Sequence, residues 1–399
     1  LASLPTGFHR GWWDLFAFVF TTMKKSLVQI ASGVSRITAV PTARANIVQQ
    51  RNLAFKKKES MSRYQKLADS AAKKPRVLIT GAMGQLGRGL ASVYRYMYGR
   101  ESVLMTDIVK APLDGSVEPF RYLNILDQNA LEETVVNSQI DVIVHYSALL
   151  SAVGENNVPL ALAVNGKGVE NVLEVGRKYN LQVFIPSTIG AFGPTSPLEL
   201  TPDICIQRPR TIYGVTKVYA ELLGEYYNDK FGLDFRCLRY PGIISATMPG
   251  GGTTDYAVQA FYDALMYGKH KCYLKPNTRL PMMYDTDCTG STVFFLASPA
   301  EKLKQRTYNV TGFSLTPEEL TDAIRKVMPN FQIEYEICPV RQKIAESWPD
   351  RFDDSNARKD WGWEPEYDLD ATVEIMFDLV GKQLAEQKTT GAPKTAASM

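Results

Sequence analysis

Histidine and paired cysteine are scarce in this 399-residue chain. The only histidines are His9, His145 and His270. The five cysteines, Cys205, Cys237, Cys272, Cys288 and Cys338, form no Cys-x-x-Cys pair and no Cys/His cluster. A protein-bound zinc ion needs three or four such ligands at short spacing, so no metal site is expected. A Ser-His-Asp triad is excluded as well, because His145 ends an apolar run, Asp141-Val-Ile-Val-His145, that reads as a buried strand. Scattered cysteines read as free thiols in a reducing compartment. An excess of one charge is also missing. Lys and Arg number 45 against 42 Asp and Glu, for a net charge of +3. Much of that excess precedes Pro75, so no nucleic-acid partner is expected. No apolar run is long enough to span a membrane. Residues 11–23 fall short of the roughly 20 residues a bilayer requires, and Asp14 interrupts them.

One absence is local. Between Asp14 and Glu59 there is no acidic residue, while Lys24, Lys25, Arg36, Arg44 and Arg51 are spaced among Ala, Ser, Val and Ile. That is the composition of a mitochondrial presequence and points to the matrix. Met23, followed by Lys24-Lys25, suits the start of a presequence; Met61 would begin a chain without one. Residues 1–74 are therefore expected to be a largely disordered leader and linker, with the fold starting at Arg76. The tail 388–399, rich in Thr, Ala, Gly and Lys, is expected to be disordered.

From Arg76 onward strand and helix signals alternate. Strand-like runs at 76–80, 102–106, 141–145, 182–187 and 234–240 are separated by helical stretches near 84–98, 127–138, 158–179 and 211–231. This rhythm predicts an α/β fold, a Rossmann-type doubly wound parallel sheet, over 75–250. After about residue 245 the rhythm changes. Residues 251–387 are expected to form a smaller substrate-binding α/β lobe, some segments of which return to the first domain.

The first strand runs into Thr80-Gly81-Ala-Met-Gly84-Gln-Leu-Gly87 and then a helix, the setting of a dinucleotide-binding turn. Gly81 permits the tight turn, Gly84 lets backbone N–H groups approach a pyrophosphate, and Gly87 lets helix and strand pack closely. Asp107 ends the next strand, twenty residues after Gly87. A carboxylate there accepts hydrogen bonds from ribose hydroxyls and repels a 2′-phosphate, and no arginine follows it. NAD is the expected cofactor.

Tyr213-Gly-Val-Thr-Lys217 supplies the chemistry. Residues four apart on a helix point the same way. A lysine ammonium beside a phenol favours the phenolate, which is expected to pull the tyrosine below its usual value of about 10. Such a phenolate can remove a hydroxyl proton while a nicotinamide takes the hydride. Ser187 and Thr188, at the end of a strand, offer a hydroxyl to hold the substrate oxygen. Either residue fits that role, and both also fit a plain strand-to-helix turn.

These motifs, together with His145-Tyr-Ser-Ala148 and Asn165, resemble those of the extended short-chain dehydrogenases/reductases over 76 to about 385. Within that superfamily the chain is most similar to the short-chain L-threonine 3-dehydrogenases. The matching segments include Leu238-Arg-Tyr-Pro-Gly-Ile-Ile-Ser245, Pro249-Gly-Gly-Gly-Thr-Thr-Asp-Tyr-Ala257, Leu280-Pro-Met-Met-Tyr284, Tyr308-Asn-Val-Thr-Gly-Phe-Ser314 and Ser347-Trp348-Pro349. The resemblance implies Thr188, Tyr213 and Lys217 as the catalytic set, with Lys217 also on the nicotinamide ribose. It implies that Gln85, Leu86, Tyr146, Ser147, Ala148, Tyr240 and Ile243 border the cofactor and that Asn165 supports the site from beneath. Asn124-Ile125 stands where many members have Asp-Ile or Asp-Val near the adenine. Ser151, Thr253, Thr254 and Trp348, with Ser187, Thr188 and Tyr213, match positions around the amino-acid pocket.

The implied reaction is NAD-dependent oxidation of L-threonine to L-2-amino-3-oxobutanoate. A CoA-dependent ligase would then consume the product, and pairing of the helices near 158–179 and 213–231 would give a homodimer. Two alternatives use the same scaffold. A nucleotide-sugar epimerase or dehydratase commonly has an Asn-x-x-Gly segment where this chain has Tyr240-Pro241-Gly242. A non-catalytic NAD-binding protein usually lacks the tyrosine or the lysine, and this chain keeps both.

Overall fold

A computed structural model of the chain describes residues 59–248 and 250–390. The expected basic leader through residue 58, with Met23, and the tail from 391 lie outside these residues, as does Pro249.

The central strands of the first half are short and covered on both faces, as parallel strands between helices are. In chain order they are β1 (Val77–Thr80), β2 (Val103–Asp107), β3 (Phe120–Tyr122), β4 (Val142–His145), β5 (Gln182–Phe184), β6 (Ser187–Thr188) and β7 (Asp234–Tyr240). All four residues of β1 and of β4 are buried. The large sheet runs β11–β7–β5–β4–β1–β2–β3, where β11 is Thr307–Asn309, and β6 pairs with β7. All its pairings are parallel. The order reverses between β1 and β4, which opens a crevice at their carboxyl ends.

The helices carry their own punctuation. Residues 59–70 are helical (α1). Helix α2 (Gln85–Tyr98) buries Leu90, Ala91, Tyr94 and Met97 and stops at Gly99, whose φ is +96°. Helix α3 (Gln128–Asn137) begins where the Asp127 side chain accepts from Ala130 N at 3.0 Å. The expected helix near 158–179 is three pieces: α4 (Ser151–Asn156) leads into α5 (Val158–Leu162), a π-turn spans Ala163–Lys167, and α6 (Gly168–Lys178) follows. Helix α7 (Ile212–Phe231) is capped by Thr211, which accepts from Gly214 N at 3.1 Å, and ends at left-handed Gly232.

Beyond β7 the chain builds two small sheets. One is β12–β10–β8 (Phe313–Leu315, Leu280–Tyr284, Gly242–Ile244); the other is β13–β9 (Gln332–Tyr335, Lys269–Cys272). Helices α8 (Tyr256–Tyr267), α9 (Asp285–Ala297), α10 (Pro317–Val327), α11 (Pro339–Ala345), α12 (Ser355–Trp361) and α13 (Leu369–Thr390) complete it. A core of Tyr256, Phe261, Met282, Leu320, Phe331 and Met376 holds this lobe together. The return to the large lobe is physical. α9 packs against α2, and β11 adds to the edge of the large sheet at β7.

Two boundaries differ from expectation. α13 continues to Thr390, into the expected tail. More consequentially, 59–70 is folded. Tyr64 is 3% exposed and stacks on Phe294 of α9 at a centroid distance of 5.6 Å. Arg63 lies 4.5 Å over the same ring and pairs with Glu366, which also accepts from Ser60. Met61, Tyr64, Leu67 and Ala68 recur at helical spacing and pack onto the large-lobe core. This apolar stripe, set in a basic and polar stretch, makes the segment part of the domain.

Candidate active site

The glycine-rich turn is shaped by close approach. Gly81 has φ +64°, and a Cβ there would come within 2.6 Å of Ser147 N, so the turn lies against the backbone leaving β4. A Cβ on Gly87 would meet Ala82 Cα at 2.6 Å. Gly84 is exposed, with only Gly81 O near its missing Cβ, at 3.3 Å. Gln85 and Leu86 open α2, whose N-terminus has no side-chain cap and no acidic residue in its first turn. The first turn of α2 therefore presents its N–H groups and a positive dipole end, which fits a pyrophosphate.

Asp107 anchors this turn. One carboxylate oxygen accepts from Met83 N at 2.9 Å, and the other accepts from Ile108 N at 2.7 Å and Val109 N at 3.1 Å. The lone pairs left over suit ribose hydroxyls. Asn124 is exposed and closes its own turn on Leu126 N at 3.1 Å. Ile125 is a core residue, and its carbonyl accepts from Asn171 Nδ2 at 3.0 Å. The phenols of Tyr146 and Tyr240 are both spent on Thr292 Oγ1 of α9, at 3.3 and 2.5 Å. Together with Ser147, Ala148 and half-buried Ile243, they leave mainly backbone for the cofactor wall.

The side chains of the tyrosine–lysine motif lie close together. The Thr188 hydroxyl is near enough to the Tyr213 phenol to pull its pKa down, and it accepts from Gly190 N at 3.1 Å. Lys217 is buried, lies 5.7 Å from the centre of the Tyr213 ring, and donates to Pro186 O at 2.7 Å. Asn165, in the π-turn, clasps Leu149 through N–H to Oδ1 at 2.8 Å and Nδ2 to O at 3.0 Å. It also donates to Thr216 Oγ1 at 3.3 Å. It thus ties the loop after β4 to α7. His145 is neutral: burial and then Lys217 push it down to about 3, and its Nδ1 pairs with Thr80 Oγ1 at 2.8 Å.

One expectation is corrected, and two further residues are placed. The phenol is not depressed in the protein alone. Burial pushes Tyr213 up to about 12 despite the Thr188 hydrogen bond, and burial pulls Lys217 down to about 8. Desolvation outweighs a single ammonium that is itself partly spent on a carbonyl. The Ser187 hydroxyl donates to buried Glu221. Successive strand residues point to opposite faces, so one of Ser187 and Thr188 had to turn away. Trp348 is 8% exposed and packs in the core of the smaller lobe.

The remaining pocket candidates lie at a helix start and on a loop. Ser151 starts α4 and is half-buried. Thr253 is buried, and Thr254 sits against Gly242, where a Cβ would come 2.9 Å from Thr254 Cγ2. Asp255 holds this loop by accepting from Gly251 N at 2.7 Å and Gly252 N at 2.6 Å. Among the described residues no group of His, Cys, Asp or Glu is arranged to hold a metal ion, and no helix is long and apolar enough to cross a membrane. Motif reading missed Glu221, Arg239 and Thr292. Glu221 carried a usable signal, since it continues the Tyr213–Lys217 stripe by one more turn.

Residues 77–311 match the model of the NAD dependent epimerase/dehydratase family. The chain belongs to that family. As a family member it uses NAD, and the turn, the uncapped helix and Asp107 are the parts that fit it. A bovine (Bos taurus) mitochondrial L-threonine 3-dehydrogenase is 58% identical over 319 residues, covering 79% of this chain and 85% of the relative. Among solved structures, L-threonine dehydrogenase from Phytophthora infestans is 50% identical with a TM-score of 0.74, covering 78% of this chain and 99% of that one. L-threonine 3-dehydrogenase from Trypanosoma brucei is 43% identical with a TM-score of 0.75, covering 80% and 99%. This member of the family thus resembles its threonine-oxidising branch along nearly the whole folded length of those enzymes.

Proposed function

We infer that the chain oxidises L-threonine at its 3-hydroxyl with NAD, giving L-2-amino-3-oxobutanoate and NADH. The observation that carries this reading is the Thr188–Tyr213–Lys217 set beside the glycine turn, in a chain 58% identical to a threonine 3-dehydrogenase.

The glycine turn and the N-terminus of α2 would hold the pyrophosphate, Asp107 the adenosine ribose and Lys217 the nicotinamide ribose. NAD supplies the hydride acceptor and, in its oxidised ring, a positive charge near the phenol. Tyr213 is the general base and takes the hydroxyl proton. Thr188 orients the substrate oxygen through the hydroxyl it already shares with Tyr213. Lys217 remains charged below about 8 and favours the phenolate. Proton and hydride each have a destination, so the alcohol needs no further activation. The lobe 251–387 supplies the amino-acid side of the pocket through Thr253 and Thr254, with Ser151 from the large lobe.

The finer readings are part of the same proposal. α5 and α7 leave Val158, Leu160, Leu162, Val215, Tyr219 and Leu222 exposed, an apolar surface suited to a homodimer. The acid-free leader, together with mitochondrial relatives, supports a mitochondrial location. The labile β-keto amino acid calls for a CoA-dependent ligase as the next enzyme.

The test is NADH absorbance with L-threonine, with a UDP-sugar and with neither. Reduction with threonine alone is expected. Turnover of the sugar nucleotide without threonine oxidation would transfer the site to epimerase chemistry.

A further inference from the structure

The stripe that bears Tyr213 and Lys217 continues one more turn, to Glu221. These three residues meet three consecutive residues of the facing strand. Glu221 accepts from Ser187 Oγ, Lys217 donates to Pro186 O at 2.7 Å, and Tyr213 meets the Thr188 hydroxyl. The Thr188–Tyr213 pair therefore stands at one end of a ladder of three contacts between helix and strand.

Glu221 is 1% exposed, and its charge is matched by Arg239, itself 4% exposed. The guanidinium is bidentate, Nε to Oε1 at 3.0 Å and Nη2 to Oε2 at 2.8 Å. Gln207 donates to the same carboxylate at 3.0 Å. Arg239 also donates to Asp203 O at 2.5 Å and to Asn309 Oδ1 at 3.3 Å. On β7 it sits in register with Ser187, and Tyr240 sits in register with Thr188. A single carboxylate thus fastens α7, β6 and β7 one residue away from the reacting hydroxyls. A buried ion pair is a costly way to gain stability. Its directional bonds do fix geometry, and a misplacement of about 1 Å in a reacting group costs about 100-fold in rate.

We propose that Glu221 is a positioning residue for the Thr188–Tyr213 pair, acting through Ser187 and through the register of α7 on β6. It does not touch the substrate. This inference rests on the proposed threonine oxidation, so wild-type turnover of L-threonine with NAD is measured first. Absence of that turnover sinks the functional reading and leaves this one without a reaction.

The deciding variant is Ser187→Ala, which removes the rung and leaves the ion pair intact. Its kcat should fall about tenfold, while the KM for NAD and the melting temperature stay close to wild type. Glu221→Gln keeps an oxygen for Ser187 and should retain more activity than Glu221→Ala. If either Glu221 variant fails to fold, Ser187→Ala decides alone. A Ser187→Ala kcat within twofold of wild type overturns the proposal. So does a loss of rate accompanied by equal losses of NAD affinity and melting temperature, because that pattern marks a general structural role.

Discussion

The two lobes spend their polar groups differently. In the large lobe the candidate groups come from regular elements: the start of α2, Asp107 and Thr188 at the ends of β2 and β6, and Tyr213 and Lys217 on α7. In the smaller lobe the corresponding candidates sit on a loop, and Asp255 uses its carboxylate to brace that loop from within. The proposed function gives the first lobe the reacting atoms and the second the remainder of a small molecule. On this division, substitutions in the first should act on kcat and cofactor binding, and substitutions in the second on the KM for the amino acid.

The sharpest way to break that division is Tyr213→Phe. Loss of the general base should lower kcat about 10²–10⁴-fold with NAD binding, measured by fluorescence titration, retained. Activity within threefold of wild type would remove the phenol from the chemistry. Thr188→Val keeps the shape and removes the hydroxyl; a 10- to 100-fold loss of kcat is expected, roughly one lost hydrogen bond to a developing charge. Asp107→Ala should raise the KM for NAD about tenfold and ease entry of NADP. Because Asp107 also holds Met83 N, part of that loss should come from a loosened turn, seen as faster amide exchange at 82–87.

In the other lobe, Thr254→Val preserves the methyl contact with Gly242 and should raise the KM for threonine a few-fold with kcat unchanged. An effect on kcat alone would erase the proposed division. The smallest effect on turnover is expected at Asp285, whose carboxyl burial pushes up to about 6. A raised carboxyl binds its proton more tightly in the folded state. Stability from this group is therefore present at low pH and lost as pH rises through about 4 to 6. Asp285→Asn should stabilise the protein at pH 7 by at most about 3 kcal/mol and hardly at all below pH 4, as thermal melts at the two pH values would show.

The same contrast explains what could be read from the sequence. β1 and β4 announce themselves as apolar runs, and Gly81, Gly87 and Asp107 follow at fixed spacings, because a dinucleotide has a fixed size. The positions of Tyr213 and Lys217 follow from helix geometry alone. Ser187 was ambiguous because two adjacent hydroxyls differ only by the face of a two-residue strand, and the partner that decides between them, Glu221, lies 34 residues away. Trp348 packs in the core of the smaller lobe, and from sequence alone a tryptophan suits a pocket wall and a core equally well. The phenol's rise to about 12 depends on how much water the fold excludes, which no motif records. Residues 59–70 were hidden by composition, since their four apolar contacts are diluted by Lys, Arg, Ser and Glu.

That first helix bears on handling and on transport. A pull on the chain from its amino end loads α1 before any strand of the large sheet, and the seat of Tyr64 on Phe294 is the joint that takes the strain. A scissile bond placed between 65 and 76 would cut away a fully seated aromatic, roughly 1.5–3 kcal/mol of burial, and leave an open slot along α9. Trimming therefore has a natural stop upstream of residue 59, set by packing and independent of the dinucleotide motif. A recombinant form begun at Arg76, the apparent start of the fold, would be the one to aggregate.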